Sequence, residues 1–144
     1  MFFVFDLDGT LVLIDHRRHH VTGGKRNFKA FEDACVDDSP YVPVVATALA
    51  LRDAGHRVEI WSGRSSRVAL RSSMVLRGLG LGDFPLRMRQ EGDFRADQIV
   101  KEEWLDAAIA HGGPPDMVFD DRQKVVNMWR RRGIPCAQVA PGDF

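Results

Sequence analysis

In "FVFDLDGTLV", residues 3–12, an apolar run ends directly on two aspartates separated by one leucine, then on Gly9 and Thr10. Phe2 to Phe5 is continuous and aromatic-rich, which reads as a short buried strand. Charges at the tip of such a strand are costly unless something offsets them. The residues that follow show what that is.

Residues 13–41 are irregular, mixing basic, acidic and Gly residues, and read as an insertion with one short helix around Phe28–Cys35. From Val42 the pattern becomes regular. "PVVATALALRDAG" is a helix, with Pro43 in its first turn and Gly55 as its stop. "RVEIW" is a strand (Arg57–Trp61), "SGR" a turn, and "SSRVALRSSMVLRGLG" a helix. "PLRMR" is a strand, "RADQIVKEEWLDAAIAH" a helix, and "MVF" a strand ending in "DDR". "QKVVNMWRRRG" closes as a helix at Gly133, and "IPCAQVA" is the last strand. Strands alternating with helices of this length give βαβ units: an α/β fold with a central parallel sheet and helices on both faces. In such sheets ligands bind beyond the carboxyl ends of the strands. Three polar clusters therefore converge at one edge: Asp6/Asp8, Ser62–Arg64 and Asp120/Asp121.

The bulk composition narrows the function classes. A length of 144 residues suits one domain with one core. Lys+Arg and Asp+Glu both number 20, so no global basic field attracts polyanions, and nucleic-acid contact must come from a local patch. Two cysteines without a CxxC, Cys35 and Cys136, fit a reducing cytoplasm and small core residues. No apolar run approaches ~18 residues, and "MFFVF" lacks the features of a signal peptide. Trp61, Trp104 and Trp129 read as core.

Residues i and i+2 of a strand face one side, which would bring Asp6 and Asp8 close together. Two carboxylates at ~4 Å repel by ~4 kcal/mol at an intermediate effective dielectric, and Asp120 and Asp121 would add to this. A hard divalent cation answers that repulsion. Mg²⁺ suits best, being held by few carboxylates plus water and phosphate. Counter-charges for a phosphate are also present in Arg64 and Lys101. Small residues at Gly9, Thr10, Ser62 and Gly63 let backbone N–H groups approach phosphate oxygens.

"DLDGT" after an apolar strand, then "SGR", a Lys and "DDR", in that order, resembles the haloacid dehalogenase (HAD) superfamily of phosphatases. "IVKEEW", "FDDRQKVVNMWRRRGIPCAQVAPGDF" and the "HRRHH…FKAFEDACVDD" insertion resemble, more narrowly, the phosphatase domain of bacteriophage-type polynucleotide kinase–phosphatases. The kinase half of such proteins needs GxxxxGK[ST]. "TGGKRN" (Thr22–Asn27) lacks that spacing and a preceding strand, so the expectation is a phosphatase alone.

The resemblance implies a three-layer HAD fold and a set of roles. Asp6 is the nucleophile that forms an aspartyl-phosphate, and Asp8 the acid/base. Mg²⁺ is held by Asp6, the backbone carbonyl of Asp8, Asp120 directly and Asp121 through water. Thr10, Ser62 and Gly63 hold phosphate oxygens, and Lys101 neutralises Asp6 and the phosphate. Asp97, one helical turn before Lys101, orients it. Arg64 and Arg17 contact the phosphate or the substrate strand. The plainer alternatives are a solvated pair for Asp97 and Lys101, an N-cap for Asp121, and a surface residue for Arg17, with Arg18 able to replace it. His16, His19 and His20 have no Cys or acidic cluster nearby and read as surface or substrate-facing groups rather than a zinc site.

Residues 13–41 are too short for a large cap domain, so the site should be open enough for a polymer end. The segment carries His16, Arg17, Arg18, His19, His20, Lys25, Arg26 and Lys29, a basic cluster suited to backbone phosphates. Phe28 and Phe31 could stack bases, but one turn apart they read rather as anchors. The expected function is removal of 3′-phosphates from polynucleotide or nucleotide ends, with a separate kinase or ligase as a possible partner. The alternatives are a small-molecule HAD phosphatase and a phosphoacceptor signalling domain. The second lacks an acid/base two residues after its nucleophile.

Overall fold

The structure, a computed structural model, describes residues 1–142; Asp143 and Phe144, the end of the quoted carboxyl-terminal stretch, lie outside them. Five parallel strands form one sheet: β1 (Phe2–Phe5), β4 (Arg57–Ser65), β5 (Leu86–Arg89), β6 (Met117–Arg122) and β7 (Cys136–Gly142). Their order is β5-β4-β1-β6-β7, so β1 is central, paired with β4 on one side and β6 on the other. The connecting helices are α2 (Val42–Asp53), α3 (Ala69–Gly78), α4 (Asp97–His111) and α5 (Gln123–Arg131). No helix among the described residues is long and apolar enough to cross a membrane.

The two-residue period of β1 divides the core. Phe3 and Phe5 pack with Val44, Val45 and Ala48 of α2 and Leu76 of α3. Phe2 and Val4 pack with Leu105 of α4 and Val125, Met128 and Trp129 of α5. Both faces of the central strand are thus covered, which explains why it reads as an unbroken apolar run. Trp61 and Trp129 are fully buried in the second layer, and Trp104 packs against it. Neither cysteine is in a disulfide; Cys35 is buried and Cys136 half-buried.

Two segments differ from the sequence reading. Ser62–Arg64, expected as a turn, stays within β4, because β4 keeps pairing with β5 across a register shift between Ser62 and Ser65. A similar shift between Asp120 and Arg122 keeps "DDR" inside β6. Irregularities of this kind re-aim side chains at strand ends. The segment before α2 holds more structure than one helix. A small antiparallel pair, β2 (Val12–Leu13) and β3 (Ser39–Pro40), closes its base. Between them lie a 3-10 turn at Asp15–His20, α1 (Phe28–Asp33) and a second 3-10 turn at Ala34–Asp37.

Candidate active site

Immediately after β1 the chain folds back on itself. The Leu7 carbonyl accepts from the backbone N–H groups of Thr10, Leu11 and Val12, and Gly9 N–H donates to the Val12 carbonyl. Gly9 has φ +79°, a left-handed conformation that a side chain would strain. This tight loop sends Asp6 and Asp8 into two separate charge groups rather than the single shared one expected from strand alternation.

Asp6, Asp120 and Asp121, all buried, form the first group; each offers a carboxylate oxygen, and these oxygens lie within 4.8 Å of one another. The Lys101 ammonium donates to Asp6 Oδ1 at 2.6 Å and Asp120 Oδ2 at 2.8 Å. Asp120 Oδ1 also accepts from Arg122 N–H at 3.1 Å, and Thr10 Oγ1 donates to Asp121 Oδ1 at 3.5 Å. Three carboxylates against one ammonium leave a net charge of minus two in a buried place. Burial, with this imbalance added to it, sets the titration behaviour. Burial pushes Asp6 well above the ordinary carboxylate range despite Lys101. Burial, and then Asp120, push Asp121 up to about 7. Burial alone would lower the Lys101 ammonium, but Asp120 and Asp6 hold it well above its usual value. A divalent cation bound by oxygens fits such a site in both charge and donor type.

Asp8, Asp38, Arg17 and Arg64 form the second group. Asp8 Oδ1 accepts from Arg17 Nη2 at 2.7 Å and from Arg64 Nε and Nη2 at 2.9 and 2.5 Å. Asp38 binds both arginines from the other side, accepting from Arg17 Nε at 2.6 Å and Arg64 Nη2 at 2.5 Å. Arg17 also donates to the Phe31 carbonyl at 3.1 Å and lies 4.2 Å over the Phe31 ring; Arg64 donates to Ser72 Oγ at 3.0 Å. This quartet is electrically balanced. Burial acts to raise Asp8, but Arg64 and then Arg17 outweigh it and hold the carboxyl at about 2.

A third group supports the backbone. Asp97 is bound by Arg89 on one oxygen and Arg122 on the other. Arg89 Nε also donates to the Gly63 carbonyl at 2.8 Å, and a Cβ built on Gly63 would meet Asp97 Oδ1 at 2.6 Å. Ser62 is buried, and its Oγ accepts from Arg64 N–H at 3.2 Å.

These positions correct several expectations. Arg17 is neither a surface residue nor a free phosphate ligand. It is wholly buried, and Asp8, Asp38 and Phe31 engage its guanidinium. Arg64 is likewise bound to Asp8 and Asp38. Asp97 makes no hydrogen bond to Lys101; it adds negative charge near the ammonium while holding two arginines. Thr10, expected at a phosphate oxygen, is buried with its hydroxyl towards Asp121. His16 binds Asp38 at 2.9 Å, and the rings of His19 and His20 lie 3.9 Å apart. The basic cluster of residues 16–29 is thus partly consumed within the protein. Lys25, Arg26 and Lys29 remain exposed.

Asp38, Arg89 and Arg122 were missed. Asp38 follows another aspartate in an irregular segment, and nothing local marks it. Arg89 and Arg122 both end strands, at the sheet edge where ligands bind, and that position was the available signal.

A cavity of about 560 Å³ opens over the strand ends, with Asp6, Asp8, Lys101, Asp120 and Asp121 among its lining residues. The family described as the polynucleotide kinase PNKP phosphatase domain matches residues 1–144. A chain in the structure of the Pnkp1/Rnl/Hen1 RNA repair complex is 30% identical, superposes with TM-score 0.84 and aligns over 99% of this chain and 43% of its own. A chain in a further structure of the Pnkp1/Rnl/Hen1 complex gives 31% identity, TM-score 0.82, and coverage of 98% and 45%. The present chain therefore spans less than half the length of those two. Mycobacterium tuberculosis protein tyrosine kinase A (PtkA), 18% identical with TM-score 0.66 over 99% of this chain and 87% of its own, shares the fold. An acidic cluster beyond a central parallel strand and a match along the whole length agree: the chain belongs to the PNKP phosphatase-domain family, and is a phosphatase of the HAD type.

Proposed function

We propose that the chain is a Mg²⁺-dependent phosphomonoesterase that removes 3′-phosphates from polynucleotide or nucleotide ends. One observation carries the reading: three buried carboxylates and one ammonium sit together at the tip of β1, two charges short of neutrality and within one cavity. Asp6, Asp120 and Asp121 would hold the ion, which when bound neutralises charge on the phosphate and on the carboxylates.

The protein's own groups then divide the work. An Asp6 carboxylate oxygen attacks phosphorus, the bond from phosphorus to the 3′ oxygen breaks, and the phosphoryl group rests on Asp6. The departing oxygen takes a proton through Asp8. Asp8 is a carboxylate in the free protein, so it takes that proton from solvent once the negative charge of the bound phosphate favours its protonated form. In the second half Asp8 removes a proton from water, which attacks phosphorus and restores Asp6. Arg17 and Arg64 fix where the Asp8 oxygens sit. Lys101 holds Asp6 in line for attack and lowers the cost of bringing an anion to it.

The likeness to chains of an RNA repair complex supports a nucleic-acid end as substrate, RNA among the candidates. It also supports a place beside separate end-processing enzymes, such as a kinase or ligase. The test sets 3′- against 5′-phosphorylated oligonucleotides, with and without Mg²⁺. Phosphate release from the 3′ series alone, abolished by a chelator and restored by Mg²⁺, supports the reading. Equal release from both ends, or from sugar phosphates at comparable kcat/KM, overturns it.

A further inference from the structure

Among exposed large apolar residues, Phe94 stands out at 95% exposure, and Phe28 follows at 58% within the same cavity. They reach it from different parts of the chain: Phe28 opens α1, and Phe94 lies in the loop between β5 and α4. A single exposed aromatic needs no explanation. Two of them on the wall of the cavity that holds the acidic cluster do.

Neither ring is left outside by a loose segment. Arg89 binds the carbonyls of Asp93 and Arg95 on one hand and Gly63 on the other. Asp93 Oδ1 accepts from Arg95 N–H at 3.0 Å, and Glu91 N–H donates to Ser66 Oγ at 3.0 Å. The loop is thus strapped to the end of β4 while presenting Phe94 to water. On α1, Asn27 caps the first turn through Ala30 N–H at 3.0 Å, and Glu32 accepts from Ser65 N–H at 2.8 Å. Phe31 is the inward anchor, 8% exposed beneath Arg17, which leaves Phe28 unneeded for packing. Lys29, next to Phe28, also lines the cavity, and its ammonium makes no hydrogen bond or ion pair among the described residues.

We infer that Phe28 and Phe94 form a stacking subsite for the nucleobase of the nucleotide that carries the scissile phosphate, with Lys29 against the neighbouring backbone phosphate. The inference rests on the 3′-phosphatase reading and names the part of the substrate that the cavity grips. Flat apolar rings beside a cation and a phosphate-handling centre match what an unstacked nucleotide offers: a π-face and a charged backbone. Recognition through faces rather than edges makes the subsite tolerant of base identity.

The test compares wild type, Phe94→Ala, Phe28→Ala and the double variant; both residues are exposed, so folding is expected to survive. On a 3′-phosphorylated oligonucleotide, KM should rise roughly five- to a hundredfold for Phe94→Ala with kcat little changed. On the same oligonucleotide ending in an abasic 3′-phosphate, wild type and variants should be equal. Binding is read separately from turnover. A 3′-terminal 2-aminopurine on Asp6→Asn protein should be quenched, and removing both rings should restore its fluorescence. An unchanged KM on the base-bearing substrate, or quenching that survives loss of both rings, overturns the stacking subsite. If wild type hydrolyses no 3′-phosphate while ring-dependent quenching persists, the subsite stands and the 3′-phosphatase reading falls.

Discussion

Gly9 and Asp121 approach so closely that a Cβ on Gly9 would lie 2.2 Å from Asp121 Oδ2. With φ +79°, Gly9 is constrained twice, by its backbone and by this neighbour. Gly9→Ala should lose roughly 1–3 kcal/mol of stability from strain alone. Because the obstructing atom belongs to the acidic cluster, it should also weaken metal binding. Thermal melting and Mn²⁺ or Mg²⁺ titration together check this; a variant that melts early yet binds metal as tightly as wild type refutes the link.

Asp38 binds Arg17 and Arg64 from the side opposite Asp8, and its side chain is fully buried. Asp38→Ala would leave two buried guanidiniums sharing one carboxylate. Removing one partner of a buried ion pair costs about 3–5 kcal/mol, so the melting temperature should fall by roughly 10–17 °C. A fall of only a degree or two would mean that the quartet contributes little to the fold.

Asp8→Asn keeps the shape of the side chain and removes its proton chemistry. Turnover should drop ~10²–10⁴-fold while the circular dichroism spectrum is retained. Incubation with substrate should leave phosphate covalently bound, detectable by mass, because the second half-reaction is slowed. Near-normal turnover would show that Asp8 is not the acid/base.

The pH dependence has two opposite parts. Asp121 is raised to about 7 in the folded protein, so between its unfolded value of 3.8 and about 7 the folded state binds the extra proton. That contribution to stability is full at low pH and lost as pH rises through about 7. Asp8 is depressed to about 2, so its contribution is present above 3.8 and lost as pH falls towards 2. Without metal, melting temperature should therefore decline from pH 5 to pH 8. On the Mg²⁺-dependent reading that decline should flatten or reverse when Mg²⁺ is added, because a bound ion would take the proton's place among the carboxylates. Melting curves at several pH values, with and without metal, check both signs.

Much of this was legible in the residues. The order of strands and helices followed from periodicity and Gly stops, and the convergence of Asp6, Asp120 and Asp121 followed from their places after parallel strands. What stayed hidden was which partner each charge takes. Arg17 and Asp38 lie in a segment with no period, and there Arg17 reads as a substrate contact or a plain surface cation, not as a buried one. Its burial is decided by Asp8, Phe31 and Asp38, which lie 9, 14 and 21 residues away. The bulge after Ser62 was equally invisible, because "SGR" has turn composition while its pairing with β5 is a tertiary fact.

The clasp of Arg17 between Asp8 and Asp38 has a mechanical corollary. Residues 13–41 are tied to the loop after β1 by the buried Arg17–Asp8 pair and to β4 by the Asp38–Arg64 pair, so they cannot swing away from the strand ends without breaking both. The mouth of the cavity should therefore keep one aperture through each cycle. On the 3′-phosphatase reading, a substrate would then have to fit that aperture as it stands, with no opening on the protein's side.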